Sequence, residues 1–547
     1  MRKTEKKNGV SVRAYAGTSG ILLGMDIDPE GREGLLGFAL ERLDGASGEK
    51  EWLSGIVSFP DTDHEAGEPI PTNVAPVQRF RWSDYRVYPD NEYSYTVHPV
   101  YGSPAEPAVS EGPTVAVKTA DLGGEHGVLF NRAAAASQAF SRRFPQVEEA
   151  IETARKEKRE LPPLPEEALA WLSRGVLEQI VRFLENAVDP TWALDIAIYE
   201  YELADIVKAV EDARERGVQV RVVYHAKVGD EQTHINEHNL LGLPPEAKRP
   251  RLTSRICHHK FVVLSRMSAG ERRPEAVLCG STNFTENGVY RQANVVHVLR
   301  RQDVAERYLD LFEVLFEGAD VPATREYINE HNPIDASAGL FAGFSPRSGS
   351  VDLKAFVEEI GSAKRDVLFC TAFDLNDGIE QALLGEPNDP ILRLGLQNTR
   401  SQITGYHRDR TADFVATAMV PEGLEGYLKE STAGQRGNIL IHTKLIIVDF
   451  TSEAPTVISG SHNLSQSASE GNDENYLILR GNTDVADSYG CELMRLYDHY
   501  RFRWYLKEGG PQLQPAVLRE DDSWTAPYFE QGSLEASDRL RFAGSAS

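Results

Sequence analysis

The sequence predicts an α/β protein made of two repeated halves behind a small all-β sandwich. Three observations carry that prediction. Residues from about 10 to 120 form short apolar or alternating runs between turns, which is how a sandwich reads. From about residue 130 helix-like and strand-like segments alternate, as in βαβ units. A cluster of polar residues then recurs, with His258 and His442 lying 184 residues apart. At 547 residues the chain exceeds what one core supports. Its 41% apolar and 26% charged residues place it among soluble globular proteins. The formal charge of −25 argues against a general nucleic-acid coat, whose binding rests on Lys and Arg neutralising phosphates.

In the first region, "GLLGFALERL", "EWLSGIVSF", "QRFRWSDYRV", "YSYTVHPVYG" and "TVAVKTA" read as strands, giving a sandwich over residues 1–125. The stretch "RFRWSDYRVYPDNEYSYTVHPVYG" resembles the later strands of a fibronectin type III module. Such modules bind partners or space domains, so a protein or surface partner is expected there and chemistry is not. Next, "ALAWLSRGVLEQIVRFLENA" reads as a helix, "ALDIAIYEY" as a strand, "ELADIVKAVEDARERG" as a helix closed by Gly217, and "VQVRVVYHA" as a strand. The order returns in "VDLKAFVEEIGSA", "RDVLFCTAF", "GIEQALLG" and "PILRLGLQN". The halves are placed at 130–330 and 331–510, with a C-terminal tail at 511–547.

Cys257, Cys279, Cys370 and Cys491 show no C-x-x-C spacing, so buried thiols are expected and neither a zinc site nor any other metal or cofactor. The basic start "MRKTEKKNGVSVRAYAG" is followed by no apolar core of a secretion signal. No run approaches the roughly 18 apolar residues of a spanning helix. A cytoplasmic protein without a transmembrane segment is expected.

The recurring cluster is the informative part. "CHHKFVVL" carries His258 and Lys260, and "GSTNFTENGVYRQANVVHVL" follows from Gly280. "IHTKLIIVDF" carries His442 and Lys444, and "GSHNLSQSASEGNDENYLIL" follows from Gly460. On an extended chain residues i and i+2 share a face, so each His and Lys project together, while His259 points the other way.

This pattern, H-x-K-x-x-x-x-D followed by G-S-x-N, resembles the phospholipase D superfamily over roughly residues 135 to 510. The resemblance implies a duplicated bilobal fold with mixed sheets flanked by helices and both H-x-K pairs in one cleft. It also implies metal-independent attack on a phosphodiester through a covalent phosphohistidine. Lys260, Lys444, Asn283 and Asn463 are expected to hold the phosphate oxygens, with Ser281 and Ser461 in support. One imidazole attacks phosphorus while the other protonates the leaving oxygen. Asp449 completes the second motif, and Glu474 sits where the family places the carboxylate that orients the motif histidine. Ser265 and Asn294 hold the matching positions of the first half. If Glu474 favours imidazolium on His442, then His258 is the neutral nucleophile and His442 the general acid. The substrate is left open between a phospholipid and a nucleic acid, and hydrolysis between transfer. A nuclease or DNA-end-processing enzyme is the alternative, and an inactive binder of a phosphate ligand the third. The basic "EAKRPRLTSR" ahead of His258 could flank a charged polymer or be a solvated loop.

Overall fold

A computed structural model describes residues 2–60, 62–64, 68–132, 137–160, 162–386, 389–398, 402–407, 411–415, 441–508 and 517–544. Two antiparallel sheets make up the N-terminal region. One orders Lys3–Lys7, Val10–Ala16, Ile21–Ile27 and Arg81–Asp84, and the other Glu106–Val109, Glu92–Ser103, Gly37–Asp44 and Lys50–Trp52. Along Glu92–Ser103 the side chains of Tyr93, Tyr95 and Val97 are buried and alternate with less buried neighbours. They share a core with Val12, Leu23, Phe38 and Phe80, as period-2 patterning requires.

The C-terminal segment, expected as a tail, does not hang free. Trp524 stacks on Phe80 inside the sandwich core at 5.3 Å. The helix Leu534–Ala543 brings Phe542 to 6.3 Å from Tyr15 and 6.1 Å from Phe450 of the second half. Buried Arg81 of the sandwich pairs with Asp498, on the helix Thr483–Glu508, and with Asp538 of the C-terminal helix, at 2.5 and 3.1 Å. The sandwich is therefore fixed to the α/β body rather than tethered to it.

The two halves repeat one topology. The first sheet runs His126–Phe130, Val295–Leu299, Glu271–Gly280, Lys260–Ser268, Trp192–Ile198, Gln219–His225 and Lys248–Arg251. The second runs Leu340–Ser345, Glu474–Arg480, Thr456–Gly460, Leu445–Val448, Asp366–Thr371 and Leu392–Asn398, then adds the hairpin strands Gln402–His407 and Thr411–Val415. In each half the strand beside the motif strand also pairs with a parallel neighbour, Trp192–Ile198 with Gln219–His225 and Asp366–Thr371 with Leu392–Asn398. The first sheet starts at His126, ahead of the expected boundary. The long helix read over 168–187 is two helices, Glu166–Ser173 and Val176–Glu185, broken where Arg174 and Gly175 take positive φ. Helices Gln302–Phe316 and Thr483–Glu508 line a core that draws on both halves, with Tyr308 packed against Phe261 of the first and Phe344 of the second.

Candidate active site

Both motif segments are extended and end in buried apolar strands, but they are not strands along their whole length. Lys260 is the first residue of its strand, and His442 to Lys444 lead into Leu445–Val448. The reason is that their backbones bond across the molecule. The His258 N–H donates to the Asp473 carbonyl at 2.9 Å, and the His442 N–H donates to the Ala293 carbonyl at 3.0 Å. Parallel bridges Cys257 to Asp473 and Ala293 to Ile441 complete a reciprocal exchange between halves. Buried Arg251 clamps one side of it, donating to both Asp473 carboxylate oxygens at 2.9 and 2.8 Å.

This exchange brings the two imidazoles together, with ring centroids 6.4 Å apart and planes at 73°. Lys260 and Lys444 lie beside them, each donating Nζ–H to the carbonyl of its own histidine, at 2.8 and 2.6 Å. The glycine that opens each G-S-x-N block is needed for this packing. Gly280 and Gly460 have φ of +151° and +154°, and a Cβ would lie 2.2 Å from the Val295 carbonyl oxygen and 2.3 Å from that of Asn475.

The exchange also corrects which group meets which histidine. Glu474 does not meet His442: its Oε2 accepts from His258 Nδ1 at 2.7 Å. His442 Nδ1 lies 3.0 Å from Asn294 Oδ1 instead. Each motif histidine is thus oriented by a residue of the opposite half. Ser461 donates to Glu474 Oε2 at 2.7 Å and Asn472 to Oε1 at 3.0 Å. Ser281 donates to Asn294 Oδ1 at 2.8 Å, and Asn294 Nδ2 donates to the Gly288 carbonyl at 3.0 Å. These contacts make Oδ1 the acceptor, so His442, like His258, carries its proton on Nδ1 when neutral. Both Nε2 lone pairs are left for other work.

Electrostatics favour the neutral form of both rings. Burial pushes His258 down to about 4 against the opposing pull of Glu474. Burial raises Glu474, but its contact with His258 outweighs this and holds it below the ordinary carboxylate range. His442 is pushed well down by burial and then by Lys444 and Lys260. Burial also lowers both lysines, Lys260 to about 8, with Glu474 and Glu200 resisting. An arriving anion would relieve this crowding of cations and raise the proton affinity of the rings.

Other expected residues fall into place differently. Asn283 Nδ2 donates to Glu200 Oε2 at 2.5 Å, and the Oδ1 atoms of Asn283 and Asn463 are buried without a hydrogen-bond partner among the described residues. Asp449 is a structural residue. With φ of +53° it turns at the far end of its strand, and Oδ1 accepts the N–H groups of Lys364 and Arg365 at 2.8 and 2.6 Å. Ser265 needs no such carboxylate, because its strand continues to Ser268 and forms a hairpin with Glu271–Gly280. His259 is fully buried against Phe261, with Nδ1 3.4 Å from Asn475 Oδ1. The basic run is the edge strand Lys248–Arg251. Lys248 and Arg249 bond to the carbonyls of Leu240 and Phe316, while Arg251 holds Asp473.

Three residues were not foreseen. Tyr199 sits 5.3 Å from the His258 ring, with Lys260 Nζ over its face at 5.3 Å. Phe373 does the same for His442 and Lys444, at 6.1 and 5.6 Å. Glu200 follows Tyr199. All three come just past the strand that pairs with a motif strand, where Ile198 lies opposite Lys260 and Cys370 opposite Leu445. An aromatic residue after each of these apolar strands was the available signal.

The family model described as "Cardiolipin synthase, PLD-like domain" matches residues 180–316. A search of curated proteins finds no match. Among solved structures, phosphatidylserine synthase from Haemophilus influenzae is 12% identical with a TM-score of 0.41, over 60% of this chain and 85% of that one. The phospholipase D family member Nuc from Salmonella typhimurium is 20% identical with a TM-score of 0.20, over 24% and 82%. Polyphosphate kinase from Porphyromonas gingivalis is 13% identical with a TM-score of 0.36 over 58% of this chain, which spans about half the length of that kinase, 47%. No helix among the described residues is long and apolar enough to cross a membrane. Residues 180–316 are thus similar to a phospholipase D-like domain over about a quarter of the chain.

Proposed function

We propose that the protein cleaves or transfers a phosphodiester through a phosphohistidine on His258. The observation that carries this reading is the facing pair of imidazoles whose Nδ1 protons are held by Glu474 and Asn294. Attack by Nε2 of His258 on phosphorus makes its ring cationic, and the Glu474 carboxylate on Nδ1–H stabilises that cation. His258 is therefore the nucleophile for a different reason from the one its sequence suggested. It has the carboxylate, and the carboxylate favours the phosphorylated ring. His442, beside a neutral amide, takes up a proton as the substrate anion enters and gives it to the leaving oxygen. With the leaving group gone it removes a proton from water or an acceptor alcohol, which attacks the phosphohistidine. Lys260, Lys444 and the amides of Asn283 and Asn463 hold the phosphoryl oxygens and supply the positive charge the transition state needs.

A lipid phosphodiester is the substrate class we favour, since the matched family model carries the name of cardiolipin synthase. Three of the four basic residues of the run that could have tracked a nucleic-acid backbone are spent on carbonyls and on Asp473, and Arg255 donates to the Ser467 hydroxyl. The test is to trap the intermediate. In His442→Asn, with a nitrophenyl phosphodiester whose leaving group needs no proton, mass spectrometry is expected to find phosphate on the peptide holding His258. Phosphate on the His442 peptide of His258→Asn, with none on His258, would reverse the roles. No phosphopeptide from any variant, with no turnover by the native enzyme, would refute the reading.

A further inference from the structure

Glu200 is a carboxylate on the amide that the proposed reaction gives to a phosphoryl oxygen. It takes the Asn283 amide N–H at 2.5 Å, and its charge acts on both Lys260 and Lys444. Among the described residues of the second half nothing equivalent follows the corresponding strand, which leads into Ala372 and Phe373, and the next acidic residue, Asp374, is exposed. Resting on the function proposed above, we infer that Glu200 is a built-in stand-in for the substrate anion, holding the Asn283 amide and offsetting the lysine charge until a phosphodiester replaces it.

Charge neutrality around the site gives this a direction. With both imidazoles neutral, Lys260 and Lys444 are balanced by Glu474 and Glu200. A monoanionic diester entering this buried site leaves one uncompensated negative charge, which is costly where water is excluded. The site restores balance by taking one proton from solvent, a single proton shared between His442, which gives it to a leaving oxygen, and a carboxylate, which holds it when no leaving oxygen needs it. Of the two carboxylates, Glu474 is held ionised by His258 and Ser461, whereas Glu200 is raised by burial to about 7 against Lys260, with Glu202 adding to the rise and Asn283 and Lys444 opposing it. Protonated Glu200 no longer competes for Lys260, and Asn283 turns its N–H to the phosphate. Glu200 is thus a positioning residue that couples anion binding to proton uptake.

The linkage has a definite sign. Binding that requires a protonated carboxyl weakens about tenfold per pH unit above that group's pKa and is flat below it. The probe is dimethyl phosphate, a monoanion across the range of interest, titrated calorimetrically into the full chain in buffers of different ionisation enthalpy. The native protein is expected to bind it with uptake of close to one proton near about pH 8, and more weakly than at about pH 6. Glu200→Gln should bind it at least as tightly as the native protein at the higher pH, with a shallower pH slope and less proton uptake. Glu200→Ala serves if the glutamine variant does not fold. Equal pH slopes and equal proton uptake in native and variant proteins would overturn the role of Glu200 and leave the phosphodiester reading intact. Absence of binding to the native protein, unchanged by Lys444→Ala, would overturn both.

Discussion

The two halves set up their histidines with the same parts and one substitution. In each, a serine at the head of a G-S-x-N block donates to a planar side chain thirteen residues later, and that side chain holds Nδ1 of the other half's histidine. For His258 the planar group is Glu474, and for His442 it is Asn294. The shapes match and the charges differ. Both can fix a ring and its tautomer, but only the carboxylate can stabilise a ring that has become cationic by taking a phosphoryl group. On the function proposed here, one frame supports two different tasks.

Removing the proposed nucleophile is the severest way to break this comparison. His258→Asn is expected to lower kcat by at least about 10⁴-fold for every leaving group, and with it the burst of nitrophenolate. His442→Asn should be as damaging for an alkoxide leaving group and much milder for nitrophenolate in the first turnover. Equal losses for both leaving groups would remove the distinction.

Exchanging the two orienting groups sharpens it. Glu474→Gln keeps the shape and loses the charge, so phosphoenzyme formation should slow by about 10²-fold whatever the leaving group. Asn294→Asp places a carboxylate beside His442 and should move the alkaline limb of the pH profile up by about one to three units. Pre-steady-state nitrophenolate bursts and pH profiles of kcat/KM measure the two. A Glu474→Gln effect confined to poor leaving groups would return the carboxylate's influence to His442.

Two smaller tests remain. Because His258 is pushed down to about 4, only acid below that range should protonate it and stop attack, so phosphoenzyme formation is expected to hold down to about pH 5 and fall as pH drops through about 4. Loss already near 6.5 would mean that burial does not govern the ring. Ser281→Ala and Ser461→Ala each remove one hydrogen bond to an orienting group, worth about 1 kcal/mol, and should cost only a few-fold in kcat, the serine on Glu474 more than the one on Asn294.

The repeated α/β plan was legible because hydrophobic periodicity and two spaced motifs depend on local chain geometry, and both sheets bear this out. The pairing of Glu474 with His442 was misread because the carboxylate that the family places there was assigned to the motif histidine of its own half. The bridges from Cys257 to Asp473 and from Ala293 to Ile441 join segments that lie far apart along the chain, and no local pattern encodes them. Asp449 looked like a site residue because it ends the motif, yet its carboxylate caps the start of a neighbouring strand. Glu200 was hidden for a similar reason. It belongs to the site only through the register of Trp192–Ile198 against the motif strand. The C-terminal helices were passed over because their apolar residues have no core of their own, and Trp524 and Phe542 find one in distant parts of the chain.

The reciprocal exchange between halves has a meaning for symmetry. Two identical subunits meeting across a two-fold axis would have to offer each other the same orienting side chain, two carboxylates or two amides, and so two rings with equal inclinations. Joining the halves in one chain lifts that constraint, since each position then mutates alone. The pair Asn294 and Glu474 is a difference that no symmetric dimer of one gene product could hold, and in the mechanism proposed here it commits one ring to carrying the phosphoryl group and the other to carrying the proton.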